Sequence, residues 1–299
     1  MIDFGPHQNP ITEDRIREMV NWEPRRIKLA SDEWREVLHQ PREKDQNWSL
    51  FLPFPETLKN AFKTMCVDVA HYAHTTEENR CCIFLNSSQD DEGESVRKAK
   101  AWIQTVGEYI AIRDCLALSY ALDYTFVTQG GIQGGRTEVG DLCRRAKLYE
   151  GDRSYDLRAA DQLAERLVSF LREMDCYDSA DCVVAMPSSL PKKTFDLPRY
   201  LAGKIASATE KENLCEGVRT VKQRKRLGKL PVDEKLNALK GTVHADGKEF
   251  TGKTVLIVDD LYQSGTSLNY VAMLLLAAGA KKVFGLACEK TLTNDDNIV

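Results

Sequence analysis

Residues 255–267 constrain the fold more than any other stretch of the chain, because they join an apolar run, an acidic pair and a small polar turn. Val255–Val258 is apolar and mostly β-branched, which is typical of a parallel strand that is buried on both faces. Asp259 and Asp260 follow it, and a helical pattern begins at Leu268 after the turn. This order predicts an α/β fold with a ligand site where the strand ends.

The turn Gln263–Ser267 has the composition of a phosphate-binding loop. Backbone N–H groups at a helix start, helped by hydroxyls, bind a phosphate that the helix dipole favours, and Gly265 allows a close approach. Because Asp259 and Asp260 would repel a phosphate at contact distance, we expect them to bind sugar hydroxyls or a metal ion through water. The turn and the acids together predict a site for a phosphorylated sugar.

Two alternatives to this interpretation remain at this point. The acidic pair could simply end a strand and face water, as acidic residues often do in α/β folds. A different phosphate-binding α/β protein is the second alternative. The strand has no Gly-x-x-x-x-Gly-Lys-Ser/Thr or Gly-x-Gly-x-x-Gly motif beside it, which argues against nucleotide triphosphatases and dinucleotide-binding folds.

The same stretch resembles the phosphoribosyl pyrophosphate (PRPP) signature of type I phosphoribosyltransferases, in which a strand and two acidic residues precede a Thr-Thr-Gly-x-Thr-like loop. The resemblance implies a doubly wound parallel sheet, PRPP as substrate and Mg²⁺ as cofactor. It implies that Asp259 and Asp260 bind the ribose and the metal and act in catalysis. The residues expected to bind the 5-phosphate are Gln263, Ser264, Gly265, Thr266 and Ser267. Gln263 departs from the usual hydroxyl residue, and Gly279 is expected to end the following helix.

The segment Met186–Lys193 is expected to face the same ligand. It follows a predicted strand, Cys182–Met186, and so leaves the same sheet edge as Asp260. Its position resembles the pyrophosphate loop of the family. The residues expected to bind there are Pro187, Ser188, Ser189 and Lys192. The alternative is a surface turn with solvated lysines.

A basic segment lies between Arg219 and Lys240. It holds eight basic and two acidic residues, a local charge of +6 in a chain of net charge −4. The segment resembles the flexible catalytic loop of the family, in which basic groups stabilise the departing pyrophosphate and exclude water. Lys222 and Arg224 are the residues expected to act in catalysis. A solvated patch or a nucleic-acid contact is the alternative, although aromatic residues for base stacking are absent.

The order of these pieces is most similar to the competence-factor (ComF-like) branch of the family, over about residues 141–290. The similarity rests on residues 144–152, 186–188 and 223–241. Members of that branch usually carry an amino-terminal cysteine zinc knuckle, which is not recognisable in this chain. A role in DNA uptake is therefore not assumed.

Four glycines within Thr128–Thr137 predict a linker or hinge, with a mobile flap as the alternative. We therefore expect a mainly helical amino-terminal domain over residues 1–130 and a phosphoribosyltransferase-like domain over residues 131–299. In the first, helices are predicted over residues 12–20, 31–38, 56–74 and 92–122.

Nine cysteines without a disulfide-type spacing predict reduced thiols. Five Cys and His residues, Cys66, His71, His74, Cys81 and Cys82, raise the alternative of structural zinc, but a histidine pair that packs on one helix is favoured because no Cys-x-x-Cys knuckle is present. With no membrane-length apolar run and no secretory pattern, the chain is expected in the cytoplasm, away from membranes.

The leading hypothesis is an enzyme, a pentosyltransferase that uses PRPP and Mg²⁺ to transfer phosphoribosyl to or from a nitrogenous base. The alternatives are a non-catalytic PRPP- or nucleotide-sensing module that acts with a partner, and a nucleic-acid-associated ComF-like factor. The ligands expected are PRPP and a nucleobase-like acceptor. A protein partner of the amino-terminal half, a homodimer and nucleic-acid binding are left open.

Overall fold

The computed structural model describes residues 8–29, 37–41, 47–76, 79–87, 93–129, 132–147, 155–189, 195–225 and 227–293. The helices in these ranges are α1 Glu13–Met19, α2 Leu58–Met65, α3 Glu94–Gly107, α4 Glu138–Ala146, α5 Leu157–Glu173, α6 Leu197–Ala208, α7 Val232–Leu239, α8 Gly247–Phe250 and α9 Thr266–Ala277. The strands are β1 Arg26–Ile27, β2 Leu38–His39, β3 Ser49–Leu52, β4 Ala70–Thr75, β5 Cys81–Leu85, β6 Ile110–Ile112, β7 Leu118–Tyr124, β8 Phe126–Gln129, β9 Ile132–Arg136, β10 Cys182–Ala185, β11 Glu212–Asn213, β12 Val218–Thr220, β13 Val243–Ala245, β14 Thr254–Tyr262 and β15 Lys282–Lys290.

The central sheet has seven strands in the order β1-β6-β7-β15-β14-β10-β11. The five strands from β7 to β11 in that order run parallel, whereas β6 pairs antiparallel with β7 and β1 antiparallel with β6. Parallel neighbours require crossover connections, and helices provide them here. The predicted α/β class with a mostly parallel sheet is confirmed.

Two hydrophobic cores lie on opposite faces of this sheet, as the alternation of side chains along β14 requires. Leu256 and Val258 belong to the core that includes residues of α5 and α6. Val255 and Ile257 belong to the other core, with residues of α1, α7 and α9. All four side chains are fully buried, which explains why the strand is an unbroken apolar run.

Local signals fix the helices that pack on the sheet. Asp156 caps α5, because its carboxylate accepts hydrogen bonds from the N–H groups of Arg158 and Ala159 at 3.0 and 3.2 Å. Gly279 ends α9 in the left-handed region at φ +95°, and its N–H donates to the carbonyl of Leu276. The predicted helical end at Gly279 is confirmed.

The amino-terminal region contains α1, α2 and α3 together with strands. A separate antiparallel sheet has the order β2-β3-β5-β4, while β1, β6 and β7 complete the central sheet. The long helices predicted over residues 56–74 and 92–122 are wrong in their second halves, which form β4, β6 and β7. Of the helix predicted over 31–38, residues 31–36 lie outside the described residues. The division into two domains at residue 130 stays a prediction.

The glycine-rich segment predicted as a linker contributes to a β-hairpin. Strands β8 and β9 pair antiparallel through Thr128↔Gln133 and Gln129↔Ile132. The hairpin leads into α4, whose first turn is capped by Thr137 through a bond from the N–H of Gly140 at 3.0 Å.

The Cys and His residues between positions 66 and 82 lie around β4 and β5, so the helix predicted to carry His71 and His74 is wrong at these positions. Across the described ranges, no group of three or more His, Cys, Asp or Glu side chains has an arrangement suited to a metal ion. All nine cysteines are buried free thiols. None of the helices in the described ranges combines the length and apolar character that crossing a bilayer demands.

Candidate active site

The acidic pair lies inside β14, beyond the point where its neighbour β10 stops. The last pair between these two strands is Ala185↔Val258, whereas β14 continues beside β15 to Tyr262↔Lys290. The acids were predicted at the carboxyl end of the strand, and the strand continues for two residues beyond them, to Tyr262. Among the described residues, Asp259 has no strand partner on the β10 side.

The turn after β14 closes tightly on the ring of Tyr262. Gly265 lies in the left-handed region at φ +78°, and a Cβ at this position would meet the Tyr262 hydroxyl at 2.0 Å. Asn269 holds the turn from α9, since its side-chain amide and its backbone N–H both donate to the carbonyl of Gly265 at 2.9 Å. The Tyr262 hydroxyl in turn donates to Asp114 at 2.9 Å. Only glycine fits at the centre of this turn.

A pocket of about 80 Å³ opens between this turn and the basic segment, and we call it the loop pocket. The predicted site residues that line it are Asp259, Gln263, Ser264, Gly265 and Ser267. The other lining residues are Leu227, Gly228, Lys235, Leu261, Tyr262 and Leu268. Thr266 lies beneath the surface, with its hydroxyl 3.1 Å from that of Ser264.

The two acids of the pair have different surroundings. The carboxylate of Asp260 lies 3.4 Å from the ammonium group of Lys147, which is also 3.4 Å from the buried Glu289. Asp259 accepts a hydrogen bond from the backbone N–H of Asp260 at 2.8 Å. Burial and the charge of Asp260 raise the pKa of Asp259 well above its usual range, and Lys147 acts in the opposite direction. Burial likewise raises the pKa of Glu289.

The acidic pair suits a cation that prefers oxygen ligands. Mg²⁺ commonly takes one or two carboxylates and completes its octahedron with waters and substrate phosphates. Of the two carboxylates, Asp259 lines the loop pocket, whereas Asp260 lies beside it in sequence and pairs with Lys147. A cage built from protein side chains alone is not expected here.

Arg224 connects the predicted pyrophosphate loop to the basic segment. Its guanidinium donates to the carbonyls of Pro187 and Ser188 at 3.0 and 3.2 Å and to the hydroxyl of Thr220 at 3.0 Å. Its backbone N–H donates to the carbonyl of Ser189 at 3.3 Å. Burial lowers the pKa of the Arg224 guanidinium, and Asp259 acts in the opposite direction. Arg224 therefore holds the loop backbone and lies within the electrostatic range of the acidic pair.

The remaining predicted residues are placed differently. Lys222 is exposed after β12, and Lys192 lies outside the described residues. The basic segment contains β12 and α7, so it is more regular than its composition indicates. Its charges serve different purposes: Arg224 holds a loop, and Lys225 pairs with Glu234 at 3.2 Å.

Three cations at the site were not among the predicted site residues. Lys147 approaches Asp260, as described above. Lys235 on α7 is buried, and its ammonium group donates to the hydroxyl of Ser264 at 3.2 Å. Arg25, just before β1, is also buried, and its Nη2 donates to the carbonyl of Ser264 at 2.9 Å. Lys235 belongs to a basic segment that sequence reasoning did single out, whereas nothing near Arg25 in sequence connects it with the turn.

Comparison with protein families agrees with the position of this site. A family model described as a phosphoribosyl transferase domain matches residues 200–288, which run from α6 into β15. This match includes the acidic pair, the turn after β14 and the basic segment. No curated protein matches the chain.

Several solved structures are similar to the chain at low identity. UMP synthase of Leishmania donovani is 14% identical with a TM-score of 0.30, covering 69% of this chain and 33% of its own. A hypoxanthine phosphoribosyltransferase from Staphylococcus aureus is 11% identical with a TM-score of 0.28, covering 45% of this chain and 74% of its own. A phosphoribosylpyrophosphate synthetase from Mycobacterium smegmatis is 14% identical with a TM-score of 0.28, covering 82% and 80%. The chain thus spans about a third of the length of the UMP synthase.

Proposed function

We propose that this protein is a phosphoribosyltransferase that binds PRPP together with Mg²⁺ at the edge of β14. The observation that carries the proposal is the loop pocket, in which Asp259 lies beside a glycine-centred turn at the start of α9. Such a turn offers N–H groups and a helix dipole to a phosphate, while the acid offers acceptors to sugar hydroxyls. The family match over residues 200–288 supports the same chemistry.

The proposed roles follow the positions of the side chains. The turn Gln263–Ser267 binds the 5-phosphate, and Asp259 with Asp260 orients the ribose. The backbone of Pro187–Ser189, held by Arg224, takes the pyrophosphate. Mg²⁺, held by the acidic pair, would supply charge neutralisation for the pyrophosphate when bound. Lys222 is exposed on the same segment and is proposed to approach the departing group.

The reaction itself demands little covalent chemistry of the protein. A nitrogen of the acceptor forms a bond to C1 of the ribose while the bond from C1 to the pyrophosphate oxygen breaks. The electron pair of that bond leaves with pyrophosphate, and the acceptor nitrogen releases its proton to solvent. The side chains around the pocket contribute orientation and electrostatic stabilisation of the leaving group.

An assay of pyrophosphate release from PRPP with Mg²⁺ and a panel of nucleobases tests the proposal. We expect release with at least one acceptor, and its loss in a variant that combines Asp259→Asn with Asp260→Asn. Asp178→Asn is a matched control, because Asp178 is exposed and lies before the opposite end of β10. If calorimetry finds no affinity for PRPP or ribose 5-phosphate, the proposal is wrong.

One observation favours binding without turnover as a second candidate. The ion pair between Lys147 and Asp260 already gives one acid of the pair a cation, which competes with a metal for that carboxylate. A sensing module would bind PRPP without consuming it. PRPP affinity without pyrophosphate release from any acceptor, in wild type and in Lys147→Met alike, would select this candidate over the enzyme.

Membership of the ComF-like branch and a cytoplasmic location are also proposed. The nine cysteines are buried free thiols, which supports the cytoplasm as the location, because disulfides are rare in that reducing compartment.

A further inference from the structure

A groove of about 650 Å³ lies between α2 and β4 in the amino-terminal region, and we call it the edge groove. It shares none of its described lining residues with the loop pocket. Phe62 of α2 and Ile83 of β5 give it an apolar floor, since both also belong to the hydrophobic core beneath. The volume is that of an ordinary ligand site, which raises the question of what binds there.

The edge groove follows the backbone of β4 and not one face of its sheet. Four consecutive residues, 72–75, line the groove. Because successive side chains of a strand point to opposite faces, a cavity on one face would be lined by every second residue. β4 is the last strand in the order β2-β3-β5-β4, and among the described residues it forms a strand pair with β5 alone. The backbone groups on its other edge therefore point into the groove.

The open edge of β4 is accompanied by exposed apolar side chains. The strand has six residues, which corresponds to a length of about 20 Å. Val67 and Tyr72, which both line the groove, are 63% and 56% exposed. An uncovered strand edge is a template for pairing with another chain, and proteins normally protect such edges. An open edge with apolar side chains beside it is typical of a surface to which an extended peptide adds as a further strand.

The wall of the edge groove opposite β4 is basic. Lys59 and Lys63 lie four residues apart on α2, so they share one face of the helix, and both line the groove. Asp68 is the only acid among the described lining residues. An extended segment that carries carboxylates at alternate positions would therefore meet positive charge along α2 while its backbone pairs with β4.

We propose that the edge groove binds an extended acidic segment of a partner protein by strand addition to β4. The backbone of the segment pairs with the edge of β4, and every second side chain faces α2, where carboxylates meet Lys59 and Lys63. The side chains between them lie on the side of Tyr72. This surface is independent of the proposed function, because neither the acidic pair nor the turn after β14 belongs to it.

The charge preference is tested with two fluorescent heptapeptides, Thr-Val-Glu-Val-Glu-Val-Thr and the same sequence with Lys in place of Glu. Fluorescence anisotropy at low salt measures their affinity for the full chain. We expect the acidic peptide to bind about tenfold more tightly than the basic one. Lys63→Glu should reduce this ratio about threefold or more, whereas Lys63→Arg should retain it. Lys248→Glu is the matched control, because Lys248 is an exposed lysine of α8 outside the groove.

The backbone pairing is tested with two N-methylated forms of the acidic peptide. The N–H groups of its valines point to one edge of the strand and those of its glutamates to the other, so one methylated set should abolish binding and the other should leave it. Hydrogen exchange of residues 70–75 should also slow when the acidic peptide binds. Equal binding of both methylated forms, an unchanged ratio in Lys63→Glu, or no binding of either heptapeptide to wild type would overturn the proposal. A dimer in light scattering that dissociates on Tyr72→Glu would identify a second copy as the occupant and would overturn it too.

Discussion

Gly265→Ala is the substitution for which the structure gives the sharpest expectation. An L-residue in the left-handed region, where Gly265 lies at φ +78°, costs about 1–2 kcal/mol. The added Cβ would also lie 2.0 Å from the hydroxyl of Tyr262 and 2.5 Å from the ring carbon that carries it. Tyr262 would have to move and give up its bond to Asp114, which leaves a buried polar group unsatisfied at about 1–3 kcal/mol. We expect the free energy of unfolding to fall by about 2–5 kcal/mol in all.

Gly252→Ala separates the cost of the left-handed backbone from the cost of the collision with Tyr262. Gly252 has a similar φ of +75°, but a Cβ there would meet no heavy atom within 4 Å. In the Gly252→Ala variant, the free energy of unfolding should therefore fall by only about 1–2 kcal/mol. Chemical denaturation of both variants measures the difference, and calorimetry with ribose 5-phosphate should show lost binding for Gly265→Ala alone. Equal stability losses in the two variants would refute the argument that the turn packs against Tyr262.

Three further predictions concern charges and thiols. Because the folded pKa of Asp259 is raised, its contribution to stability is present below the ordinary carboxyl pKa and is lost as pH rises through the folded pKa. Asp259→Asn should therefore unfold at higher temperature than wild type at neutral pH while binding PRPP more weakly, and a lowered melting temperature would contradict this. Arg224→Lys should weaken pyrophosphate binding about tenfold, because one ammonium group cannot make all the hydrogen bonds that the guanidinium donates to the carbonyls of Pro187 and Ser188. An unchanged pyrophosphate affinity in calorimetry would argue against the role of Arg224 in holding this loop. Burial raises the pKa of the Cys66 thiol to about 11, and all nine thiols are buried. A thiol reagent at neutral pH should therefore label the native protein far more slowly than the unfolded chain. Fast labelling of the native protein would contradict the burial of these thiols.

The part of the site that sequence reasoning found is the part that is contiguous in sequence. The strand, the acidic pair, the glycine turn and the helix up to Gly279 follow one another, and each has a local signature. The exact end of β14 was missed because Leu261 and Tyr262 continue the pairing with β15 beyond the acids. That pairing is a tertiary effect, and a carboxylate in a strand has no local signal that distinguishes it from one in a turn.

The part that could not be predicted depends on long-range contacts. Arg25 meets Ser264 across most of the chain, and Lys147 meets Glu289 only because α4 and β15 pack together. The prediction of one helix over residues 92–122 was wrong in its second half for a related reason. The apolar stretch of β6 and β7 fits a buried strand as well as a buried helix, and only its place beside β15 decides between them.

The parallel pairing of β7 with β15 has a practical consequence for dissecting the chain. A fragment that begins at residue 131 would lack β7 and expose the backbone of β15 along the six residue pairs from Phe284 to Lys290. A bare strand edge of that length and apolar character is a template for intermolecular pairing. Such a fragment should therefore tend to precipitate on its own, and supplying residues 1–130 as a separate polypeptide should be able to complement it in solution.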